Sequence, residues 1–150
     1  MMSTEETTRQ EWMAALALAP EGRLRQAWDS LPAQPYYKLV RGPETGLVMV
    51  RARTGNSGER FTLGEMSVTR CTVALDQGVM GHAFIGGLCH ERARLAAVFD
   101  ALLQLPGRGE ELRRTLIDPL RQERQAHLAR RQEDVQPSRV DFFTLVRGEE

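Results

Sequence analysis

The residues able to do chemistry crowd into one stretch, R-T-G-N-S-G-E-R-F-T-L-G-E-M-S-V-T-R-C, from Arg53 to Cys71. Gly55 and Gly58 lie three apart, between Arg53 and Arg60. Backbone N–H groups in such a loop can form an anion-binding nest, and flanking guanidinium groups add paired donors that suit phosphate or phosphonate oxygens. Arg51, Arg53, Thr54, Gly55 and Gly58 are therefore candidate ligand residues. A P-loop is excluded, because that motif needs G-x-x-x-x-G-K-[ST] leading into a helix, whereas here the lysine is missing and a strand pattern follows. A plain bend between two strands uses the same residue types, so both readings stand at this stage.

Just downstream, Glu65 and Arg70 interrupt an otherwise good strand. In simple alternation Glu65, Thr69 and Cys71 share one face, and Met66, Val68 and Arg70 the other. A buried Glu paired with an Arg would either be structural or grip a ligand, which makes both of them candidates. His82 could serve as a general base, but nothing in the sequence supplies a partner nucleophile or acid, so no catalytic residue is assigned. Cys71, His82, Cys89 and His90 are metal-ligand types, yet they lack the closely spaced pair of a zinc site, and no metal is expected. Their relative placement depends on the turn at Gln77-Gly78. A two-residue turn puts His82 on the Cys71 face of the sheet, and a three-residue turn puts it on the opposite face.

The elements that must carry these residues are legible in the periodicity. Ser3 and Glu6 form a capping-box pattern, and Trp12, Leu16 and Ala19 then trace one face of a helix that Pro20 and Gly22 break. Leu24, Trp28 and Leu31 repeat the spacing, so a helical hairpin is expected. From Tyr36 the period falls to two. Y-Y-K-L-V-R and L-V-M-V-R-A-R read as strands around a G-P-E-T-G turn, followed by the long F-T-L-G-E-M-S-V-T-R-C-T-V-A-L strand and, after D-Q-G, by V-M-G-H-A-F-I-G-G. Four strands with short connections make an antiparallel meander. Glu91 to Leu105 is a clear helix, Glu110 to Ile117 starts another, and Pro119 suits the first turn of a third. Pro119 to Glu133 is almost wholly polar, so that helix covers little core and suits a bridge to a partner.

The tail S-R-V-D-F-F-T-L-V-R has no consistently polar face. Val140, Phe142, Phe143 and Leu145 are expected to be buried, on the chain's own sheet or at a partner interface. The expected architecture is α+β in a single domain: an antiparallel β-meander flanked by an N-terminal helical hairpin and C-terminal helices. Its helices lie at about 4–31, its sheet at about 36–87, further helices at about 91–134 and a terminal strand at about 139–147.

A chain of 150 residues with 41% apolar and 27% charged residues suits one soluble domain with a modest core. No apolar run approaches the ~20 residues of a membrane span, and the acidic, polar start M-M-S-T-E-E-T-T is unlike a secretory signal, so a cytoplasmic protein is expected. Twenty cations balance 20 carboxylates, which gives no reason to expect nucleic-acid binding. Lys38 is the single lysine among those 20 cations, so 19 are arginine. A GC-rich genome accounts for the bias as well, but arginine's planar fork leaves a surface suited to interfaces and phosphates.

The motifs in combination are more specific than any alone. R-G-P-E-T-G-L-V-M-V-R-A-R-T-G from Arg41, F-T-L-G-E-M-S-V-T-R-C-T-V from Phe61, G-V-M-G-H ending at His82, and V-D-F-F-T-L-V-R-G from Val140 resemble the PhnG family, the G subunit of the bacterial phosphonate carbon–phosphorus lyase system. The likeness spans the chain, including R-x-x-W-M-A near the N-terminus, and is most specific over Gly64 to Cys71. It implies a cytoplasmic assembly with the H, I and J subunits, joined by the L subunit in one step. In that step an alkylphosphonate displaces adenine at C1′ of ATP, giving ribose 1-phosphonate 5-triphosphate. The resemblance makes I the catalytic subunit and gives the iron–sulfur cluster to J. It implies no cofactor on this chain, ATP and phosphonate being substrates of the complex, and it assigns G no catalytic residue. The isolated chain is then expected to be inactive. The alternative is that this chain lends phosphate- or phosphonate-binding residues to a shared active site.

Overall fold

The computed structural model describes residues 4–55 and 57–135, with side chains over 8–55 and 57–132. Helix α1 spans Thr4–Leu18, and its buried positions Trp12, Ala15 and Leu16 fall on one stripe, continued by Ala19 just past its end. Pro20 stops it and becomes the N-cap of α2, Glu21–Asp29, whose Leu24 is wholly buried. Both helices dock on α3, His90–Leu103. That helix is apolar almost all round, and Leu95 through Leu103 are buried without interruption. A helix of this kind has to lie inside, so α3 sits between the sheet on one side and α1, α2 and α4 on the other.

The sheet is an antiparallel meander of β1 (Tyr37–Arg53), β2 (Arg60–Leu75) and β3 (Met80–Gly86), in that order. The expected α+β class and antiparallel meander are what the chain adopts. The strand count differs: the two strands expected around G-P-E-T-G are one. The 16-residue β2 offers a ladder long enough for both halves. Register shifts between Leu39 and Arg41 and between Arg41 and Glu44 take Val40, Gly42 and Pro43 out of the pairing. Pro43, which follows a cis peptide bond and has no N–H, thus sits at an irregularity, where a strand tolerates it.

Strand β2 turns into β3 through Asp76–Gly78. Leu75 N donates to Val79 O at 2.9 Å, Gly78 N donates to Leu75 O at 2.8 Å, and Gly78 takes φ 81°. This three-residue loop sends Thr69, Cys71, Val73 and Leu75 inward with Gly81, Ala83 and Ile85. Arg70, Thr72, His82 and Phe84 point outward. Sheet and helix meet most closely at Gly81, where an added Cβ would collide with the Ala97 carbonyl oxygen and press on Ala101.

Past α3, α4 covers Arg108–Leu112, a π-helical turn spans Arg113–Ile117, and α5 runs Asp118–Val135. Pro119 has no N–H to return to the Thr115 carbonyl, and the wider turn directly before it accommodates the missing bond. Leu120 is buried, whereas every residue from Arg121 to Gln132 is exposed, as the polar composition of α5 required. The expected terminal strand, with Val140, Phe142, Phe143 and Leu145, lies outside the described residues, as do the side chains of the Ser3–Glu6 capping box.

Candidate functional site

Strand β3 ends at Gly86, opposite Val68, while β1 and β2 run on together to the pair Arg53–Arg60. They form a two-stranded arm past the end of β3, on which Leu47, Met49, Phe61, Leu63 and Met66 are exposed. The Thr54–Gly58 loop closes its tip. Gly55 adopts φ 65°, and a Cβ on Gly58 would collide with the Thr54 carbonyl, so the bend itself accounts for both glycines. Arg51, Arg53 and Thr54 are exposed there, and neither arginine forms an ion pair among the described residues.

Glu65 is exposed midway along the arm, opposite Met49. It is neither buried nor paired with Arg70. Arg70 instead faces Glu44 across the ladder and donates from Nε to Glu44 Oε1 at 2.6 Å. Arg41 Nε lies 2.7 Å from the same oxygen. Two guanidinium groups thus converge on one carboxylate, on the sheet face that no helix covers among the described residues. Arg53 is nine residues along β1 from Glu44, and at about 3.3 Å per residue that is ~30 Å. The candidate ligand residues therefore fall into separate places: Arg51, Arg53, Thr54, Gly55 and Gly58 at the tip, Glu65 between, and Arg70 at the base.

The buried polar groups tie elements together. The Thr69 hydroxyl donates to Gly87 O at 2.6 Å and accepts from Cys89 N at 3.2 Å. With its proton committed to that carbonyl, Thr69 Oγ1 must accept from Thr45 Oγ1, 3.0 Å away. His90 Nε2, 3.1 Å from Thr45 Oγ1, then carries the proton of that contact. The relay ends on a backbone carbonyl, so these hydroxyls join β1, β2 and the start of α3 and leave no activated nucleophile. Asp100, fully buried in α3, accepts from Arg9 Nε and Nη2, Trp12 Nε1 and His82 N at 3.3, 2.8, 2.8 and 2.9 Å. These four donors satisfy the carboxylate completely and hold α1, α3 and β3 in register.

The turn settles the alternative posed by Cys71 and His82. Thr72, not Cys71 or Val73, pairs with His82, and its hydroxyl lies 3.2 Å from His82 Nδ1 on the outer face. Cys71 is in the core, where burial pushes its thiol pKa up and leaves it an unreactive apolar residue. At the edge of the core, the guanidinium of Arg94 binds Glu91 and the Tyr37 hydroxyl, and that bond holds the Glu91 carboxyl below its usual range.

Sequence reasoning missed Glu44, because it lay in a presumed turn, and Asp100. The signal for Asp100 was available: a lone carboxylate inside A-A-V-F-D-A-L-L must find donors.

The comparisons with known proteins bear on the whole chain. Residues 7–148 match the profile of the family described as phosphonate metabolism protein PhnG. The chain is also 45% identical over 146 residues to the alpha-D-ribose 1-methylphosphonate 5-triphosphate synthase subunit PhnG of Rhizobium meliloti (strain 1021), an alignment covering 95% of this chain and 90% of that protein. With that match running nearly end to end, through the arm and the glycine-tipped loop, this chain belongs to the PhnG family of phosphonate metabolism proteins.

Proposed function

We propose that this chain is a subunit of a ribose 1-phosphonate 5-triphosphate synthase and has no complete active site of its own. In the reaction, a phosphonate oxygen bonds to C1′ of the ATP ribose, the C1′–N9 bond breaks, and adenine leaves with the electron pair and takes up a proton. The chain would support that transfer within a cytoplasmic assembly of H, I and J subunits, joined by L, with ATP and phosphonate as substrates of the assembly. The name of the Rhizobium meliloti relative supports the subunit role. The observation that carries the reading is the ~30 Å between the tip and base clusters, with the intervening arm left apolar and exposed. An active site needs convergent groups, and an uncovered apolar arm needs a neighbour.

The test is phosphonate-dependent release of adenine from ATP by the co-expressed subunits, with and without this chain. Release is expected to fall to background without it, and the purified chain is expected to be silent. Adenine release by the chain alone would overturn the reading.

A second reading, that the arm tip lends cations to a shared site, is favoured by Arg53 and Arg60 standing opposite one another beside the loop. On that reading Arg53→Ala lowers phosphonate use while the subunit composition of the complex stays intact. Loss of assembly instead would make Arg53 an interface residue.

A further inference from the structure

The outer face of the sheet changes character along its length. Among the described residues, helices cover only the face carrying Cys71, Val73 and Ile85. On the other, Lys38 pairs with Ala74, Arg41 with Thr72, and Glu44 with Arg70, so this end of the face carries three cations to one carboxylate. Exposed His82 adds imidazole N–H capacity to this end. Beyond the Arg70–Phe84 row the same face turns apolar, through Val68 to Met66 and Val48.

At the boundary lies a hollow. Gly46, opposite Val68 on β1, puts no side chain beside it, while on the β3 side Met66 reaches over Gly86. The depression that results has a volume of about 190 Å³, and its walls include Glu44, Arg70, Val48 and Phe84. Phe84 stands at its rim with 55% of its surface exposed. A single large apolar side chain fits a hollow of this kind, and a carboxylate entering beside it would meet Arg70 and Arg41. Those guanidinium groups are held in place by Glu44 at 2.6 and 2.7 Å, with their remaining N–H donors available.

We propose that this sheet face docks a different subunit of the synthase, through a surface that presents an apolar side chain to the Val68 hollow and carboxylates to Arg41, Arg70 and Lys38. The inference rests on the subunit reading above and adds to it which face is used and the chemistry of what meets it. Charge complementarity selects the occupant. A second copy of this chain would set the same cations against themselves, and a nucleic acid would gain nothing from the apolar half of the face.

The experiment uses the complex purified from cells co-expressing all the synthase subunits with a tagged form of this chain. Phe84→Asp is expected to reduce its recovery in the complex about tenfold or more, as for an interface anchor, while the melting curve of the variant chain stays that of the wild type. Arg70→Glu is expected to weaken recovery too, and raised salt should weaken the wild type in the same direction. Benzoylphenylalanine at position 84, which keeps the ring, is expected to cross-link on irradiation to an acidic segment of another subunit, whether or not Phe84→Asp folds. Full recovery of a folded Phe84→Asp chain, a cross-link to a second copy, or intact assembly with lost activity would each overturn the proposal. If the wild-type chain itself is absent from the purified complex, the subunit reading fails, and that result is separate from failure of this face.

Discussion

Trp12 Nε1 donates to Asp100 Oδ1 at 2.8 Å, joining α1 to the interior of α3 across 88 residues of sequence. The same indole ring carries Arg113 over its face, 4.7 Å from the ring centroid. Asp100 is a buried charge kept in place by its donors, so its removal strands them. Asp100→Ala leaves Trp12 Nε1–H and His82 N–H without acceptors and is expected to cost about 3–5 kcal/mol of stability in urea unfolding. Trp12→Phe keeps most of the ring and loses one donor, for an expected cost of about 1–3 kcal/mol. A pair of variants each within 0.5 kcal/mol of wild type (roughly the level of a neutral surface change) would remove Asp100 as the hub of the helical layer.

Gly81 lets α3 approach the sheet. Gly81→Ala drives a Cβ into the Ala97 carbonyl, a backbone atom that cannot turn aside, so α3 must lift from β3. The expected loss is about 2–3 kcal/mol or more, read as a lowered thermal midpoint. Gly64→Ala is the control. Nothing lies within 4 Å of its added Cβ, and it is expected to be neutral to slightly stabilising.

The Thr69 hydroxyl joins three segments, and its replacements separate shape from hydrogen bonding. Thr69→Val keeps the volume but strands Cys89 N and Gly87 O, for an expected cost of about 1–3 kcal/mol in urea unfolding. Thr69→Ser, which retains the hydroxyl, is expected to recover most of that. If Val and Ser behave alike, the relay from His90 through Thr45 contributes nothing to stability.

Glu91 gives the fold part of its acid sensitivity. The hydrogen bond from Arg94 lowers its carboxyl pKa in the folded chain below that of the unfolded chain. Its contribution is therefore fully present above the ordinary glutamate range and is lost as pH falls through the folded value. The Glu91 side chain is 37% exposed, so solvent screening keeps the effect small. Thermal midpoints of wild type and Glu91→Gln are expected to differ at pH 7 and to converge as the pH is lowered below 4 (roughly the unfolded glutamate pKa). Parallel curves over that range would show that Glu91 does not titrate with folding.

Local pattern alone determined much of this molecule. The apolar spacing of Trp12, Leu16 and Ala19, the nearly unbroken apolar run of α3, the alternation from Ser67 to Leu75 and the polar surface of α5 each follow from periods of 3.6 and 2, which a sequence displays directly. The family was legible too, because its motifs are runs of particular residues. Three things waited for the tertiary structure, and all concern groups distant in sequence. The continuity of β1 through Gly42-Pro43 depended on β2 supplying a ladder on the far side of the arm, which overrode a local turn signal. The inward or outward sense of His82 depended on one residue of loop length, since a shift of one position reverses every side chain in a strand. The partner of Arg70 proved to be Glu44, 26 residues away, and not the nearby Glu65, because antiparallel pairing sets cross-strand neighbours by register and not by proximity in the chain. Sequence fixes which residues carry charge and which must be buried; only the register of the sheet decides which of them meet.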